Sequence, residues 1–256
     1  MDDADHMDNP PELAVVVPVK DEAENVWPLV REICAALCDV CTFEIVYVDD
    51  GSTDETVSRL TEAQAQAEML RIVRHDGCFG QSAAVRTGVS HAKAPLIATL
   101  DGDGQNDPAD IPALVTRFRE EGGSAEALLL IAGWRAKRKD TWLKRISSKI
   151  ANAVRGGLLG DATPDTGCGL KVFPRAMFLG FPAFRHMHRF LPALTIRAGG
   201  RVLSVHVNHR PRERGVSKYG LFNRLWVGIV DLFGVMWLQS RPMQVKVRED
   251  GGSHSV

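Results

Sequence analysis

The densest chemistry in this chain lies between Leu96 and Asp107, which reads Leu-Ile-Ala-Thr-Leu-Asp-Gly-Asp-Gly-Gln-Asn-Asp. A short apolar run suited to a buried strand ends abruptly in Asp101 and Asp103, with Gln105 and Asp107 close behind and glycines between them. In an extended turn, residues two apart point the same way, so Asp101, Asp103 and Gln105 can converge on one point and offer oxygen atoms alone. Such donors suit Mg²⁺ or Mn²⁺, hard ions that complete their shells with water and substrate phosphates. By itself, an Asp-X-Asp is more often a solvated turn with an Asx-type cap on a helix, here one beginning near Pro108. The surrounding elements and motifs have to decide between the two.

Those elements alternate. Leu13 to Val17 is a β-branched run that predicts a buried parallel strand stopped by Pro18, and Asp21-Glu22 opens a helix to about Cys38. Thr42 to Val48 predicts a second strand running into Asp49-Asp50-Gly51-Ser52, after which Thr53 or Asp54 caps a helix through about Ala67. Met69 to Val73 predicts a third strand, His75 to Gln81 a polar loop, and Ser82 to His91 a helix that leads back to the strand at Leu96. Strands alternating with helices indicate a doubly wound parallel sheet, whose ligands bind at the strands' carboxyl ends. Polar clusters fall at each of those ends: Lys20 to Glu22, Asp49 to Ser52, His75 to Ser82 and Asp101 to Asp107.

The second half is more basic. Ala127 to Gly133 predicts a strand leading into Trp134, Arg135, Lys137, Arg138 and Lys139, then a helix from Thr141 to Leu159 bearing Lys144, Arg145 and Lys149. Such a run is either a solvated helix face or a surface for an anionic substrate. Asp165 to Lys171 is a glycine-rich approach segment, Phe184 to Ala198 reads as helix, and Arg201 to Asn208 as a strand. The loop from His209 to Gly220 carries Arg210, Arg212, Arg214 and Lys218. Beside an acidic metal site these suit a substrate with several phosphates. Leu221 to Leu238 is apolar apart from Asn223, Arg224, Asp231 and small residues, with an apolar stripe wider than a soluble surface helix needs. It reads as an interfacial helix lying in a bilayer surface, the other readings being a core helix or a homo-oligomer contact. Residues 1–12 and 241–256 read as flexible ends around a folded domain over 13–220 and the helix over 221–240.

Bulk composition fits a globular protein: 256 residues, 45% hydrophobic and 25% charged. The net charge of -1, from 31 basic and 32 acidic residues, gives no reason to expect a nucleic-acid partner. Five cysteines lack paired zinc-knuckle spacing, and the acidic N-terminus lacks a signal-peptide pattern, so a reduced, cytoplasmic protein is expected. Cys34, Cys38 and Cys41 share helical spacing and read as small core residues rather than ligands.

The motifs occur in the order seen in family 2 glycosyltransferases: Pro18-Val-Lys-Asp-Glu22, Asp49-Asp-Gly-Ser-Thr-Asp54, Gly80-Gln-Ser82, Asp101-Gly-Asp-Gly-Gln105 and Arg214-Gly-Val-Ser-Lys-Tyr-Gly220. From Leu13 to Leu238 the chain resembles the polyprenyl-phosphate glycosyltransferases of the dolichol-phosphate mannosyltransferase type. The resemblance implies an α/β GT-A fold with a mostly parallel central sheet. Pro18, Glu22 and Asp50, with Gly80, Gln81 and Ser82 nearby, would then hold the nucleotide. Asp101 would face the nucleotide-sugar, and Asp103 and Gln105 would bind Mg²⁺ or Mn²⁺. Arg135, Arg145 and Ser148 resemble positions that meet the acceptor phosphate, and Arg212, Ser217 and Lys218 fall in a loop that closes over phosphates. Three positions depart from the family pattern: Lys20-Asp21 stands for the usual Tyr-Asn, Gly104 for an apolar residue, and Trp134 for a small one before Arg135.

The reaction implied is inverting transfer of a sugar from a nucleoside diphosphate sugar to a polyprenyl phosphate, at the cytoplasmic face of the inner membrane. A family 2 enzyme acting on a glycan hydroxyl would need a general base, and Asp165 stands alone where a Glu-Asp pair is common. A non-catalytic binder of nucleotide-sugars is the remaining reading.

Overall fold

Alternate residues of the first strand go to opposite faces, and this period of two builds both halves of the core. Leu13–Val19 forms β1. Leu13, Val15, Val17 and Val19 join one buried cluster, which contains Val26, Leu29 and Ile33 of α1 (Ala23–Leu37) and Leu114 and Phe118 of α4 (Ile111–Glu120). Ala14 and Val16 join the other, with Ala84, Val85 and Val89 of α3 (Gln81–His91). Each such side chain, fully buried, contributes about 1.5–3 kcal/mol if aliphatic and large. On the second face α3 lies very near the sheet: a Cβ on Gly88 would fall 2.4 Å from Val16 Cγ1.

This computed structural model describes residues 10–135, 156–161, 163–211 and 221–241. The other strands are β2 (Phe43–Asp49), β3 (Leu70–Arg74), β4 (Leu96–Thr99), β5 (Leu129–Trp134), β6 (Lys171–Pro174) and β7 (Arg201–His206). The remaining labelled helices are α2 (Thr56–Gln64), α5 (Arg175–Leu179), α6 (Leu191–Arg197) and α7 (Leu221–Ser240). Among the described residues one seven-stranded sheet runs β3-β2-β1-β4-β6-β5-β7. The first four strands are mutually parallel, β6 is antiparallel to both β4 and β5, and β7 is parallel to β5. The architecture is thus α/β with a mostly parallel sheet, as expected.

Several local readings need correction. Pro18 does not stop β1; it pairs with Val48. Val16 faces the β4 side of the ladder, where its carbonyl accepts from Leu100, and the register there ends at Val16–Thr99. Pro18 lies two residues on and has the same orientation, so its missing N–H falls where that ladder has already ended. Asp54 does serve the start of α2, its Oδ1 accepting from Thr56 N at 2.9 Å, but the helix ends at Gln64, earlier than Ala67. There Gln64 Nε2 donates to Leu70 O and the chain turns into β3. The single helix read over Phe184 to Ala198 is two pieces: a 3-10 turn at Met187–Arg189 and α6. His186 at φ 64° breaks it, and Pro192 sits in the first turn of α6, where a proline is tolerated. The strand β6 and the helix α5 have no counterpart in the sequence reading. The helix expected over Thr141 to Leu159 lies outside the described residues except for 156–159, which are helical.

Helix α7 packs through Leu232, Val235 and Met236 against Leu159, Phe190 and Ala193. Asp231 pairs with His186 at 2.8 Å, Arg197 donates to Leu238 O at 2.8 Å, and Gln239 donates to Leu159 O at 2.9 Å. Its other face leaves Val230, Phe233 and Trp237 exposed at 56%, 64% and 63%. The apolar stripe therefore divides into one face on the core and one without cover from the described residues. No helix among them is long and apolar enough to cross a membrane. All five cysteines are free; Cys34 and Cys41 pack at the core's margin and Cys38 is exposed.

Candidate active site

Because β1 to β4 are parallel and β5 shares their direction, all five carboxyl ends reach one edge of the sheet; β6, running the other way, brings its amino end there. The four polar clusters read from the sequence meet at this edge and are tied together by hydrogen bonds. Lys20 Nζ donates to Gly51 O at 2.7 Å, and Asp21 N to Ser52 Oγ at 2.9 Å. Asp21 Oδ1 accepts from Thr53 N at 2.6 Å, and Glu22 N donates to Thr56 Oγ1 at 2.8 Å. Lys20 and Asp21, which replace the family's Tyr-Asn, thus bind the first loop to the second.

Asp50 organises the third. Its Oδ1 accepts from His75 Nδ1 and Phe79 N, both at 2.8 Å, and its Oδ2 from Gly80 N at 2.7 Å and Cys78 Sγ at 3.4 Å. Burial pushes its carboxyl up, but the hydrogen bonds from His75, Phe79, Gly80 and Cys78 outweigh this and hold it below the ordinary carboxylate range. Gln81, first residue of α3, then reaches across to Asp101, with Nε2 2.7 Å from Oδ1. The fourth cluster is closed by the base of the basic loop. Arg210 donates to Asp107 Oδ1 and to Glu32 Oε2, both at 2.6 Å, and Gln105 O accepts from Arg210 N at 3.0 Å.

Within the edge is a cleft of about 420 Å³. Pro18, Gln81, Asp101, Gln105 and Arg135 line it, so these five expected site residues do come together. Glu22, Asp50, Gly80, Ser82 and Asp103 lie outside its lining. Ser82 instead holds a wall residue, its Oγ 2.6 Å from His188 Nδ1. Arg145, Ser148, Arg212, Ser217 and Lys218 lie outside the described residues.

Asp101 sits on the cleft floor where β4 ends. Desolvation, then the neighbouring charge of Asp103, push its carboxyl above the ordinary range. Two carboxylates that repel each other beside the amide of Gln105 form an all-oxygen donor set which a divalent cation would relieve. Asp103 Oδ1 also accepts from Gln105 N at 3.1 Å, which fixes the turn. Among the described residues no three His, Cys, Asp or Glu gather round one point. A pair of carboxylates fits an ion such as Mg²⁺ that draws the rest of its shell from water and substrate phosphates.

The cleft also joins Arg135 to Asp165, both singled out in the sequence, and contains Lys171, His188 and Gly169, which sequence reasoning did not assign to the site. Arg135 and Asp165 form a two-pronged ion pair, Nε to Oδ2 at 2.7 Å and Nη2 to Oδ1 at 3.0 Å, with side chains only 9% and 6% exposed. Lys171, first residue of β6, is buried at 3% exposure, and burial drives its ammonium below the usual lysine range. His188 is pushed down to about 3 by burial and then by the charge of Lys171, so it is neutral. Gly169 admits Asp101: a Cβ there would lie 2.2–2.5 Å from the three carboxyl atoms of Asp101. A lysine opening the apolar run Val172-Phe173 was the one signal available for Lys171.

Comparison with known proteins agrees with this arrangement. The glycosyl transferase family 2 model matches residues 14–179. The chain is 39% identical over 231 residues to the dodecaprenyl-phosphate galacturonate synthase of Rhizobium johnstonii, covering 88% of this chain and 67% of that protein. It is 34% identical over 239 residues to the undecaprenyl-phosphate 4-deoxy-4-formamido-L-arabinose transferase of an Enterobacter species, covering 91% and 69%. In fold it resembles glucosyl-3-phosphoglycerate synthase from Mycobacterium tuberculosis in complex with UDP, with a TM-score of 0.66 at 16% identity over 90% of this chain and 80% of that one. The same enzyme solved with Mn²⁺, UDP and glucosyl-3-phosphoglycerate gives a TM-score of 0.63.

Proposed function

The chain belongs to glycosyl transferase family 2, and from that premise we propose that it transfers a sugar from a nucleoside diphosphate sugar to the phosphate of a polyprenyl phosphate. The observation that carries this reading is the state of Asp165. A hydroxyl acceptor needs a base to remove its proton, and the carboxylate in the expected place has both oxygens engaged by Arg135. A phosphate monoester, with a second pKa of about 6, is already anionic at neutral pH and needs no such base. The two relatives named above act on polyprenyl phosphates, which supports the same choice.

The loops at the ends of β1 and β2 and the Asp50-organised turn support the nucleotide, Glu22 and Ser82 acting from the margin. Asp101 and Gln81 face the sugar. Arg135, its fork set by Asp165, keeps Nη1 for the acceptor phosphate and offsets repulsion between two anionic substrates. Arg145, Ser148, Arg212, Ser217 and Lys218 are assigned to the same phosphates. Asp103 and Gln105 would hold Mg²⁺ or Mn²⁺, which when bound stabilises negative charge developing on the departing diphosphate. The phosphate oxygen attacks the anomeric carbon as the diphosphate leaves, so the configuration inverts.

The uncovered stripe of Val230, Phe233 and Trp237 supports attachment of α7 to a bilayer surface, where the lipid acceptor resides. Free thiols throughout fit the cytoplasmic face. The test is incubation of the purified protein with Mg²⁺ or Mn²⁺, undecaprenyl phosphate and a panel of nucleotide-sugars. Mass spectrometry should find a glycosylated lipid phosphate, lost on adding EDTA. Release of nucleoside diphosphate without lipid product would move the acceptor to a glycan hydroxyl.

A further inference from the structure

A lysine ammonium inside a central strand demands a reason. Lys171 pairs with Thr99 of β4 on one side and Ala132 of β5 on the other, so neighbours flank it on both sides and its side chain is desolvated. Two of the surrounding acceptors are already engaged: Asp165 by Arg135, and Asp101 Oδ1 by Gln81. An ammonium carries three N–H donors. Among the described residues Lys171 makes one hydrogen bond, to Cys168 O. The other two donors belong to a buried group that lines the cleft beside Asp101. A buried ammonium with unmet donors is costly unless something arrives to accept from it.

We propose that Lys171 recognises the donor sugar, its ammonium donating to pyranose oxygens laid on the cleft floor between Asp101 and His188. The acceptor oxygens belong to the sugar rather than to the diphosphate. Asp103, one of the two residues assigned to the ion, lies outside the cleft's lining, whereas Lys171 lies within it beside Asp101. Arg135, the cation assigned to the acceptor phosphate, is held in place by Asp165. Cys168, Gly169 and Leu191 line the same cleft, whose volume of about 420 Å³ accommodates a pyranose ring. Sugar hydroxyls and a sugar carboxylate offer the same accepting chemistry, and an ammonium serves either. The proposal rests on the cleft being a nucleotide-sugar site.

The test compares the full-length protein with Lys171→Met and Lys171→Arg by calorimetric titration in the presence of Mg²⁺. The probes are UDP-galacturonic acid, UDP-glucose and GDP-mannose, set against UDP and GDP. Lys171→Met should weaken the cognate nucleotide-sugar about ten- to a hundredfold, the usual effect of losing a charge-assisted hydrogen bond, and leave the matching nucleoside diphosphate within about twofold. Lys171→Arg should restore part of the loss. A loss on the uronate identifies a carboxylate as the partner, and one on a neutral sugar identifies a hydroxyl. Equal weakening of nucleotide-sugar and nucleoside diphosphate would overturn the proposal, since the lysine would then act on the phosphates or the fold. So would unchanged nucleotide-sugar binding. Failure of the wild-type protein to bind any nucleotide-sugar would overturn both this assignment and the reading of the cleft. Because no lipid acceptor is present, the result is independent of what the acceptor proves to be. The melting temperature of Lys171→Met should not fall, because a thioether of similar length replaces a desolvated charge.

Discussion

Gly169→Ala is a methyl group aimed at one carboxylate. The added Cβ would stand 2.2 Å from Asp101 Oδ2, 2.3 Å from Cγ and 2.5 Å from Oδ1, whereas real Cβ contacts lie beyond 3.0 Å. The carboxylate must therefore withdraw by roughly 1 Å, a displacement of a kind that costs about a hundredfold in rate at a reacting centre. Gly169 does not have a positive φ, so alanine meets no backbone strain there. The Gln81–Asp101 hydrogen bond, 2.7 Å in the native protein, would break in the process. Stability should fall by only about 1 kcal/mol, the scale of an off-rotamer side chain and one lost hydrogen bond. Steady-state rates of nucleoside diphosphate release, with urea unfolding as the control, separate the two effects. A Gly169→Ala protein with native kcat and native KM for the donor would refute the placement of Asp101 at the reacting centre. A protein that fails to fold would instead show that the strand cannot shift, and Gly169→Ser would then behave worse still.

Asp165→Ala should destabilise the fold by about 3–5 kcal/mol in urea unfolding, because Arg135 is left as a buried charge without its partner; Asp165→Asn, keeping one accepting oxygen, should cost less and raise the KM for the lipid phosphate more than that for the donor. His188 gives a pH dependence. Its native pKa of about 3 lies below the unfolded value near 6.5, so below pH 6.5 the unfolded chain binds a proton that the native protein refuses. Stability from this group is therefore intact above pH 6.5 and drains away as pH falls toward 3, with a limiting slope of about 1.4 kcal/mol per pH unit. Melting curves of His188→Gln should be flatter than wild type across that window, and parallel curves would reject the assignment. Val230, Phe233 and Trp237 changed together to serine should weaken liposome binding by at least about a hundredfold, given about 1.5–3 kcal/mol for each large apolar side chain buried. Their melting temperature should hold, since the three side chains touch solvent; unaltered sedimentation with liposomes would assign the face another partner.

The first four strands were legible because each is an apolar run closed by a polar, glycine-bearing cluster, and a parallel sheet sends all such clusters to one edge. The acidic turn was legible for the same reason: Asp101 and Asp103 are unmistakable after Leu96 to Leu100. What the sequence could not display was β6. Four residues that begin with lysine and end with Pro174 carry no periodicity, and their burial depends on an antiparallel insertion between strands far away in the chain. Lys171 and Gly169 draw their significance from that insertion. His188 was concealed inside a stretch whose spacing suits a helix, until His186 and Pro192 divide it. Ser82 was expected near the nucleotide; its hydroxyl meets His188, a contact that only coordinates reveal.

The insertion of β6 also sets an order of assembly. Residues from Leu13 to Thr99 supply β1 to β4, and each can find its neighbour as soon as it is made. β5 cannot: both strands that flank it, β6 and β7, come later in the chain. Asp101 hangs from the half that forms first, Arg135 from the strand that waits, and Lys171 from the strand that joins them. The cleft is therefore the suture of the fold, drawn shut by the same event that completes the sheet. A chain halted before β6 would present the finished edge of β1 to β4 with half of the cleft, and a chain carried past it acquires the rest at once.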